Sequence, residues 1–374
     1  MDPMPSKISQ KRKPWIETPL VESATLSKAA GCRVFLKLDA LQPSGSFKSR
    51  GIGNFILTHL SDPSNQGKEV HFYISSGGNA GLAAVIAARD LGCPCTVVVP
   101  VTTKPLMIEK LKDDGAADVI QHGASWSEAD SYLRERFINT NTSVSNDTNG
   151  SRITNVYVPP FDHPYVWDGH ATLIPELVTQ LPPREKSEEG DNRFPADVIV
   201  CSVGGGGLFN GIIQGLDEYL SKHPMKSSDG AKPLHVLAVE TQGADSLAYS
   251  LKKGTLASLS TITSIASTLG AVQVAPLAFE NARSPPDGVN VTSVVASDAE
   301  AVRGVVTFAD KMRMLVEPAC GVSVDVAMGP RLKEAVGDLG PNSRVVVIVC
   351  GGSSISPEMV AEYRQRLDDG WDGQ

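Results

Sequence analysis

This chain of 374 residues has no long apolar run, few cysteines and no excess of positive charge. Its most apolar stretch, residues 80–88, is far shorter than the roughly 18 residues that a membrane span needs. Six cysteines in so long a chain do not form a disulfide framework. Lys and Arg number 34 against 42 Asp and Glu, a net charge of −8. We therefore expect neither a membrane nor a nucleic acid as partner.

Zinc-binding and targeting patterns are missing as well. Cys93 and Cys95 have no second cysteine pair and no nearby histidine, so no zinc site is expected. Residues 1–15 carry basic side chains without an apolar segment behind them, which differs from a secretory signal. The single Arg12 and the acidic Asp2 also argue against a transit peptide. We expect a cytoplasmic protein with reduced thiols.

Apolar strands alternate with helical patterns in two series, and the length allows two to three domains. The first series is a βαβαβ run, which is typical of a parallel sheet with right-handed crossovers. Its predicted elements are strands 71–75, 96–100 and 118–121 and helices 80–89 and 106–112. The second series comprises strands 197–203, 235–240 and 344–350 and helices 208–220 and 301–311. Ser297 and Glu300 match a capping box before the last helix.

Two segments interrupt these series. Residues 139–151 are rich in Asn, Thr and Ser, and residues 182–193 are charged, so neither has much to bury. We predict both as solvent loops, and the first also suggests a domain boundary.

A tetraglycine turn, Gly204 to Gly207, separates a predicted strand from a predicted helix. Backbone N–H groups at such a turn can bind a phosphate, because glycine allows close approach. The dinucleotide fingerprint fails here, since its last position falls on Phe209 or Asn210. The chain also contains no Walker A motif. A tight turn without any ligand remains the alternative.

Two further segments could carry chemistry. Residues 75–81, Ser-Ser-Gly-Gly-Asn-Ala-Gly, could bind a small carboxylate with backbone N–H groups, serine hydroxyls and Asn79, or could form an ordinary capped turn. Residues 43–50 contain Lys48. A lysine can act as a Schiff-base amine where its pKa is lowered, but most lysines are solvated surface charges.

Four motifs occur along the chain in the same order as in one known enzyme family. They are Pro-Ser-Gly-Ser-Phe-Lys at 43–48, Ser-Ser-Gly-Gly-Asn-Ala-Gly at 75–81, the tetraglycine at 204–207 and Val-Cys-Gly-Gly-Ser at 349–353. Together they closely resemble the pyridoxal-phosphate enzymes of the tryptophan-synthase-β fold type, fold type II. Within that group the chain is most similar to L-serine/L-threonine dehydratases of the eukaryotic serine dehydratase kind. Supporting segments, including Glu-Pro-Ala-Cys-Gly at 317–321, extend the resemblance over about residues 15–360.

The resemblance implies an α/β fold of two open, twisted parallel-sheet domains with flanking helices and the cofactor between them. The small α/β domain would be residues 42–152. The large catalytic domain would combine residues 1–41 with 153–374, because residues 33–38 would pair with the later sheet. A homodimer is expected from the same resemblance.

The resemblance also implies roles for individual residues. Lys48 would hold pyridoxal 5'-phosphate as an internal aldimine, Phe47 would pack on its ring, and Asn79 would hydrogen-bond the ring's 3'-oxygen. Cys350 would face the pyridine nitrogen, with Gly351 beside it. The expected phosphate-binding residues are Gly204, Gly205, Gly206, Gly207 and Leu208. The expected residues for the substrate carboxylate are Ser75, Ser76, Gly77, Asn79 and Ala80. A monovalent cation, usually potassium, would bind at Gly204, Glu240, Ala244, Ser246, Leu269 and Ala271.

The implied reaction is elimination from a small amino acid. Lys48 would remove the α-proton, and L-serine would give pyruvate and ammonia while L-threonine would give 2-oxobutyrate. A thiol such as Cys350 cannot keep the pyridine nitrogen protonated, which favours loss of the β-hydroxyl. One departure is Gly77, where the best-known liver enzyme of this kind has alanine.

Other functions stay open at this point. The same fold serves β-replacement synthases and amino-acid racemases, and a non-catalytic member could bind the cofactor or an amino acid. A nicotinamide oxidoreductase is disfavoured by the failed dinucleotide fingerprint.

Overall fold

The architecture is taken from a computed structural model, which describes residues 12–139, 144–146, 152–184, 194–223, 232–337 and 339–373. Eleven strands of this part of the chain form one six-stranded and one five-stranded sheet. The strands are β1 (Leu20–Glu22), β2 (Arg33–Lys37), β3 (Glu69–Ile74), β4 (Cys95–Val99), β5 (Asp118–Gln121), β6 (Val144–Asn146), β7 (Arg152–Tyr157), β8 (Val198–Ser202), β9 (Leu234–Thr241), β10 (Val289–Ala296) and β11 (Arg344–Ile348).

Fourteen α-helices in the same residues flank the two sheets. They are α1 (Ala24–Ala30), α2 (Lys48–Ser61), α3 (Asn79–Asp90), α4 (Pro105–Asp113), α5 (Trp126–Leu133), α6 (Pro164–Ala171), α7 (Leu173–Gln180), α8 (Gly207–Lys222), α9 (Ser246–Lys253), α10 (Pro276–Arg283), α11 (Asp298–Met312), α12 (Pro318–Met328), α13 (Pro330–Val336) and α14 (Pro357–Asp368). No helix among the described residues is both long and apolar enough to cross a bilayer.

The larger sheet has the strand order β1-β2-β11-β8-β9-β10 and is parallel except for the short β1. Strands β8 and β11 are buried along their whole length. Near-continuous apolar strands are typical of a parallel sheet that is covered by helices on both faces. The pairing of β2 with β11 confirms the prediction that residues 33–38 join the later sheet.

The smaller sheet has the order β5-β4-β3-β7-β6, with only β6 antiparallel to its neighbour. Strands β3, β4 and β7 and helices α2, α3 and α4 contribute to a second apolar core. Strand β7 pairs with β3 over residues 153–157, so this sheet continues beyond residue 152. The smaller sheet therefore includes residues that follow 152, because the chain adds one more parallel strand before it crosses to the larger sheet.

The predicted elements occur with small shifts at their ends. The capping box is confirmed: the Ser297 hydroxyl accepts from the Glu300 N–H, and the Glu300 carboxylate accepts from the Ser297 N–H. The predicted strand 344–350 ends at Ile348. Within the predicted loop 139–151, residues 144–146 form β6, and the rest except Asn139 lies outside the described residues. Most of the predicted loop 182–193 also lies outside them.

Candidate active site

Three chain segments meet where parallel strands of the larger sheet end. Lys37 is paired with Ile348, and Val347 with Val200, so β2, β11 and β8 end at one edge. The segments that leave this edge carry Lys48, Cys350 and the tetraglycine turn, respectively. Open α/β sheets bind ligands at such carboxyl ends.

Lys48 begins α2 and is half-buried. Its Nζ donates a hydrogen bond of 2.6 Å to the carbonyl oxygen of Pro160 and lies 5.3 Å from the centre of the Phe47 ring. Burial lowers the pKa of Lys48 to about 8. An amine with such a pKa is far more available as a nucleophile or base at neutral pH than a solvated lysine.

Cys350 lies directly beside the Lys48 segment. The Phe47 N–H donates to the Cys350 carbonyl oxygen at 3.1 Å, and Ser46 forms a bridge with Gly351. The thiol is buried, and burial together with the neighbouring Cys320 and Cys201 raises the pKa of Cys350 well above its usual range. Cys350 is therefore a neutral thiol that contributes no negative charge at this point.

The tetraglycine turn has no room for side chains. A Cβ at Gly205 would lie 2.4 Å from the Phe161 ring, and one at Gly207 would lie 2.6 Å from the Phe161 carbonyl oxygen. Gly206 has a φ of 89°, which favours glycine. The turn leads into α8, whose first N–H groups have no partner within the helix. This geometry suits an anion such as a phosphate, and buried Leu208 anchors the helix below it.

The predicted carboxylate-binding segment joins β3 to the N-terminus of α3 in the smaller unit. Ser75 is buried, and its hydroxyl donates a hydrogen bond of 2.5 Å to Asp130. Asp130 also accepts from the Tyr157 hydroxyl at 2.8 Å and from Arg134 at 2.7 Å. The single hydroxyl proton of Ser75 is thus used inside the protein, so its side chain is not the free donor that the sequence suggests.

The other members of this segment surround the start of α3. The Ser76 hydroxyl accepts from the Gly78 N–H at 3.4 Å, and Ala80 is buried in the first turn of the helix. Gly77 faces Thr103: a Cβ at Gly77 would lie 3.0 Å from the Thr103 methyl group. The first-turn N–H groups of α3 remain without helical partners, which suits a carboxylate.

Asn79 is held by residues of the larger unit. Its Nδ2 donates to Glu317 Oε1 and Oε2 at 3.2 and 3.1 Å, and its Oδ1 accepts from the Ser353 N–H at 3.0 Å. Glu317 is 2% exposed. Glu317 is not among the site residues expected from the sequence. A signal was present, because Glu317 is an acidic residue directly before Pro318, which begins the apolar helix α12.

The six residues predicted for a cation lie in two groups, with Glu240, Ala244 and Ser246 in one and Gly204, Leu269 and Ala271 in the other. The Glu240 carboxylate accepts hydrogen bonds from the N–H groups of Leu247 and Ala248, each at 2.8 Å, and the buried Ser246 hydroxyl has no hydrogen-bond partner among the described residues. Burial raises the pKa of Glu240 to about 8. Gly204 lies close to Leu269, since a Cβ at Gly204 would lie 3.0 Å from Leu269 Cα. The Ala271 N–H donates to the Leu269 carbonyl oxygen at 2.7 Å, and the Ala244 N–H donates to the Thr241 carbonyl oxygen at 2.9 Å.

A buried ionic network lies behind Lys48, and sequence reasoning missed it. Arg50, which is fully buried, forms ion pairs with Asp39 at 2.7 Å and with Glu176 at 2.5 Å. Lys37, also fully buried, pairs with Glu176 at 2.5 Å. Arg50 stands two residues after Lys48 on α2, so the network ties the start of this helix to β2 and α7.

Comparison with known proteins identifies the family. The family described as "Pyridoxal-phosphate dependent enzyme" matches residues 12–351. The chain belongs to this family. Among its relatives, L-serine dehydratase of Saccharomyces cerevisiae is 39% identical over 356 residues, which cover 94% of this chain and 97% of the relative. L-serine dehydratase/L-threonine deaminase of Homo sapiens is 39% identical over 355 residues, which cover 94% of this chain and 95% of the relative.

A solved structure agrees with the family assignment. A fungal L-serine ammonia-lyase from Rhizomucor miehei superposes with a TM-score of 0.78 and is 32% identical, and the match covers 95% of this chain and 99% of that one. The fold is therefore that of the fold type II pyridoxal-phosphate enzymes, as predicted. The residues present fit this cofactor: Lys48 offers an amine for its carbonyl group, and the N-terminus of α8 offers a cradle for its phosphate.

Proposed function

We propose that this pyridoxal-phosphate enzyme is an L-serine dehydratase that converts L-serine to pyruvate and ammonia, and L-threonine to 2-oxobutyrate and ammonia. The observation that carries the proposal is the neutral, buried Cys350 thiol beside the low-pKa amine of Lys48. Relatives that carry dehydratase names match nearly the whole chain.

Pyridoxal phosphate would be held by residues from both units. Lys48 would form the covalent link, Phe47 would pack on the ring, Asn79 would donate to the 3'-oxygen, and Cys350 and Gly351 would border the pyridine nitrogen. The phosphate would bind at Gly204, Gly205, Gly206, Gly207 and Leu208. When bound, the cofactor supplies an electron sink for the bonding electrons of the substrate's α-carbon.

The chain's own residues would orient the amino acid and transfer its protons. The N-terminus of α3, with Ser75, Ser76, Gly77, Asn79 and Ala80 around it, would hold the substrate carboxylate. Lys48 Nζ would take the α-proton, since its lowered pKa leaves a useful fraction of free amine. The α-hydrogen and the β-hydroxyl are together lost as one water, and addition of one water to the released enamine yields the oxoacid and ammonia.

The thiol of Cys350 would set the direction of this chemistry. A carboxylate at that position would hold a proton on the pyridine nitrogen and favour a long-lived carbanion. A neutral thiol does not do this, so the electron pair is more readily used to expel the β-hydroxyl. The same reasoning disfavours transamination.

A monovalent cation, potassium being the first choice, would bind between the two groups described above. The buried carboxylate of Glu240 takes part in no ion pair among the described residues. The buried hydroxyl of Ser246 has no hydrogen-bond partner among them. A single positive ion would satisfy both. Hard cations prefer oxygen ligands, so the carbonyl oxygens of Gly204, Ala244, Leu269 and Ala271 would complete the shell.

Release of 2-oxoacid from L-serine and L-threonine, with pyridoxal phosphate and potassium present, tests the proposal. We expect release from the native chain and none from Lys48→Ala, and the ratio of the two rates would give the preferred substrate. A native protein that binds the cofactor covalently, shown by borohydride reduction, but releases no oxoacid would refute the dehydratase. Assays for β-replacement and racemisation would then identify the alternative.

We also propose a cytoplasmic homodimer, on the family resemblance and on a sequence whose six cysteines do not have the spacing of a disulfide framework. Light scattering of the purified holoenzyme measures the assembly, and a monomer mass would contradict it. Fractionation of cells that express the tagged chain tests the location.

A further inference from the structure

A buried acidic residue, Glu317, lies where the two units meet and receives hydrogen bonds from both. Its Oε2 accepts from the Thr268 hydroxyl at 2.7 Å, and its Oε1 accepts from the Ser354 N–H at 2.7 Å. Both oxygens also accept from Asn79 Nδ2. Glu317 is 2% exposed and takes part in no ion pair among the described residues, so these hydrogen bonds replace its hydration.

The contacts allow only one orientation of the Asn79 amide. Asn79 Oδ1 accepts from the Ser353 N–H at 3.0 Å, on the other side from Glu317. A flipped amide would place its carbonyl oxygen against the carboxylate and its NH₂ group against another N–H donor. Both partners would oppose that arrangement. With its oxygen and one N–H occupied, Asn79 retains one N–H for a further acceptor.

We infer that Glu317 is a positioning residue that makes Asn79 meet the cofactor's 3'-oxygen only as a hydrogen-bond donor. The inference rests on the proposed binding of pyridoxal phosphate with Asn79 beside that oxygen. A donor stabilises the ionised form of the oxygen and strengthens binding of the cofactor. Glu317 itself touches neither the cofactor nor the substrate in this assignment and acts through Asn79.

The contact also connects the two apolar cores. Asn79 is the first residue of α3, which belongs to the smaller core, and Glu317 precedes α12, which belongs to the larger. A second bond crosses nearby, since Lys110 Nζ donates to the Ser353 carbonyl oxygen at 2.6 Å. The orientation of Asn79 therefore depends on residues of the opposite unit, which local sequence cannot specify.

A double-mutant cycle on cofactor affinity tests this role. Apoprotein carrying Glu317→Ala, Asn79→Ala or both is titrated with pyridoxal phosphate and followed by absorbance. We expect Glu317→Ala to weaken binding about tenfold when Asn79 is present, the scale of one hydrogen bond to a charged group, and to have almost no effect in the Asn79→Ala background. The pH at which the bound cofactor's visible band titrates should rise in Glu317→Ala when Asn79 is present. In the Asn79→Ala background, Glu317→Ala should not raise it further.

Two further variants separate positioning from folding. In Glu317→Gln, the amide oxygen can still accept from Asn79 and Ser354 while its NH₂ group donates to the Thr268 hydroxyl, so affinity should stay close to native. Thr268→Val removes only a support of Glu317 and should weaken binding by a smaller factor, again only when Asn79 is present. The matched control is Asp325→Asn, a buried carboxylate on α12 that pairs with Arg303 instead and should leave cofactor affinity unchanged.

The outcomes are distinguishable. Equal weakening by Glu317→Ala in both backgrounds, or a Gln variant as weak as the Ala variant, would overturn the positioning role while the dehydratase stands. Failure of the native chain to bind pyridoxal phosphate at all would overturn both proposals.

Discussion

Changing the pH at which the apoprotein meets pyridoxal phosphate tests the state of the Lys48 amine. A neutral amine attacks the cofactor's carbonyl group, whereas an ammonium does not. Burial lowers the pKa of Lys48 from 10.5 to about 8. At pH 7 an amine of pKa about 8 is roughly one-tenth neutral, whereas one of pKa 10.5 is neutral to roughly 0.03%. The structure thus gives Lys48 about 300-fold more free amine than a solvated lysine.

The expected profile follows from these values. The second-order rate of covalent capture, followed by absorbance under stopped flow, should rise about tenfold per pH unit below pH 7 and level off above about pH 8. Free Nα-acetyl-lysine is the reference and should continue to rise towards pH 10.5. A capture rate that rises without a break to pH 10 would refute the lowered pKa.

The stability of the apoprotein provides a second reading of the same group. Because the folded pKa of Lys48 is lower than the unfolded one, the unfolded chain binds the extra proton between pH 8 and 10.5. Stability should therefore rise with pH across this window relative to a Lys48→Met variant, which lacks the amine. Urea unfolding at several pH values measures the difference, and parallel curves for the two proteins would contradict it.

Three further predictions concern other parts of the structure. Gly77→Ala should raise the KM for L-serine severalfold, because the new methyl group would lie 3.0 Å from the Thr103 methyl, and Thr103→Ser should partly restore it in steady-state assays. Arg50→Ala should lower the free energy of unfolding by about 3–5 kcal/mol in urea titrations, because it leaves the buried Asp39 without its cation, and a loss below about 1 kcal/mol would contradict this. Glu240→Gln should abolish any increase in melting temperature on adding potassium, and an unchanged increase would place the cation elsewhere.

Local patterns were enough for much of the fold. The βαβ alternation, the buried apolar strands and the Ser297–Glu300 capping box depend on residues close in sequence, and they formed where predicted. The sheet that β7 joins depends on residues far apart in the chain. Whether β7 joins β3 or the larger sheet is decided by long-range pairing, which residues 139–157 do not encode by themselves.

The motifs indicated which segments carry the site, and their glycines explain why. At Gly205 and Gly206 the close approach of Phe161 and a positive φ exclude other residues, so the glycines can be read directly from the sequence. The hydrogen-bonding state of polar side chains cannot be read in this way. Ser75 looks like a free donor in the sequence, yet Asp130, 55 positions later, takes its proton.

The sequence by itself determined the family, the alternation of strands and helices, and the candidate lysine, because these depend on short motifs and on local periodicity. Only the tertiary structure decided the environment of each group. The pKa of Lys48, the orientation of Asn79 beside Glu317 and the burial of Arg50 with Asp39 arise from partners far apart in the chain. Desolvation and hydrogen bonding act through space, so their strength is set when the strand ends of two sheets are brought together.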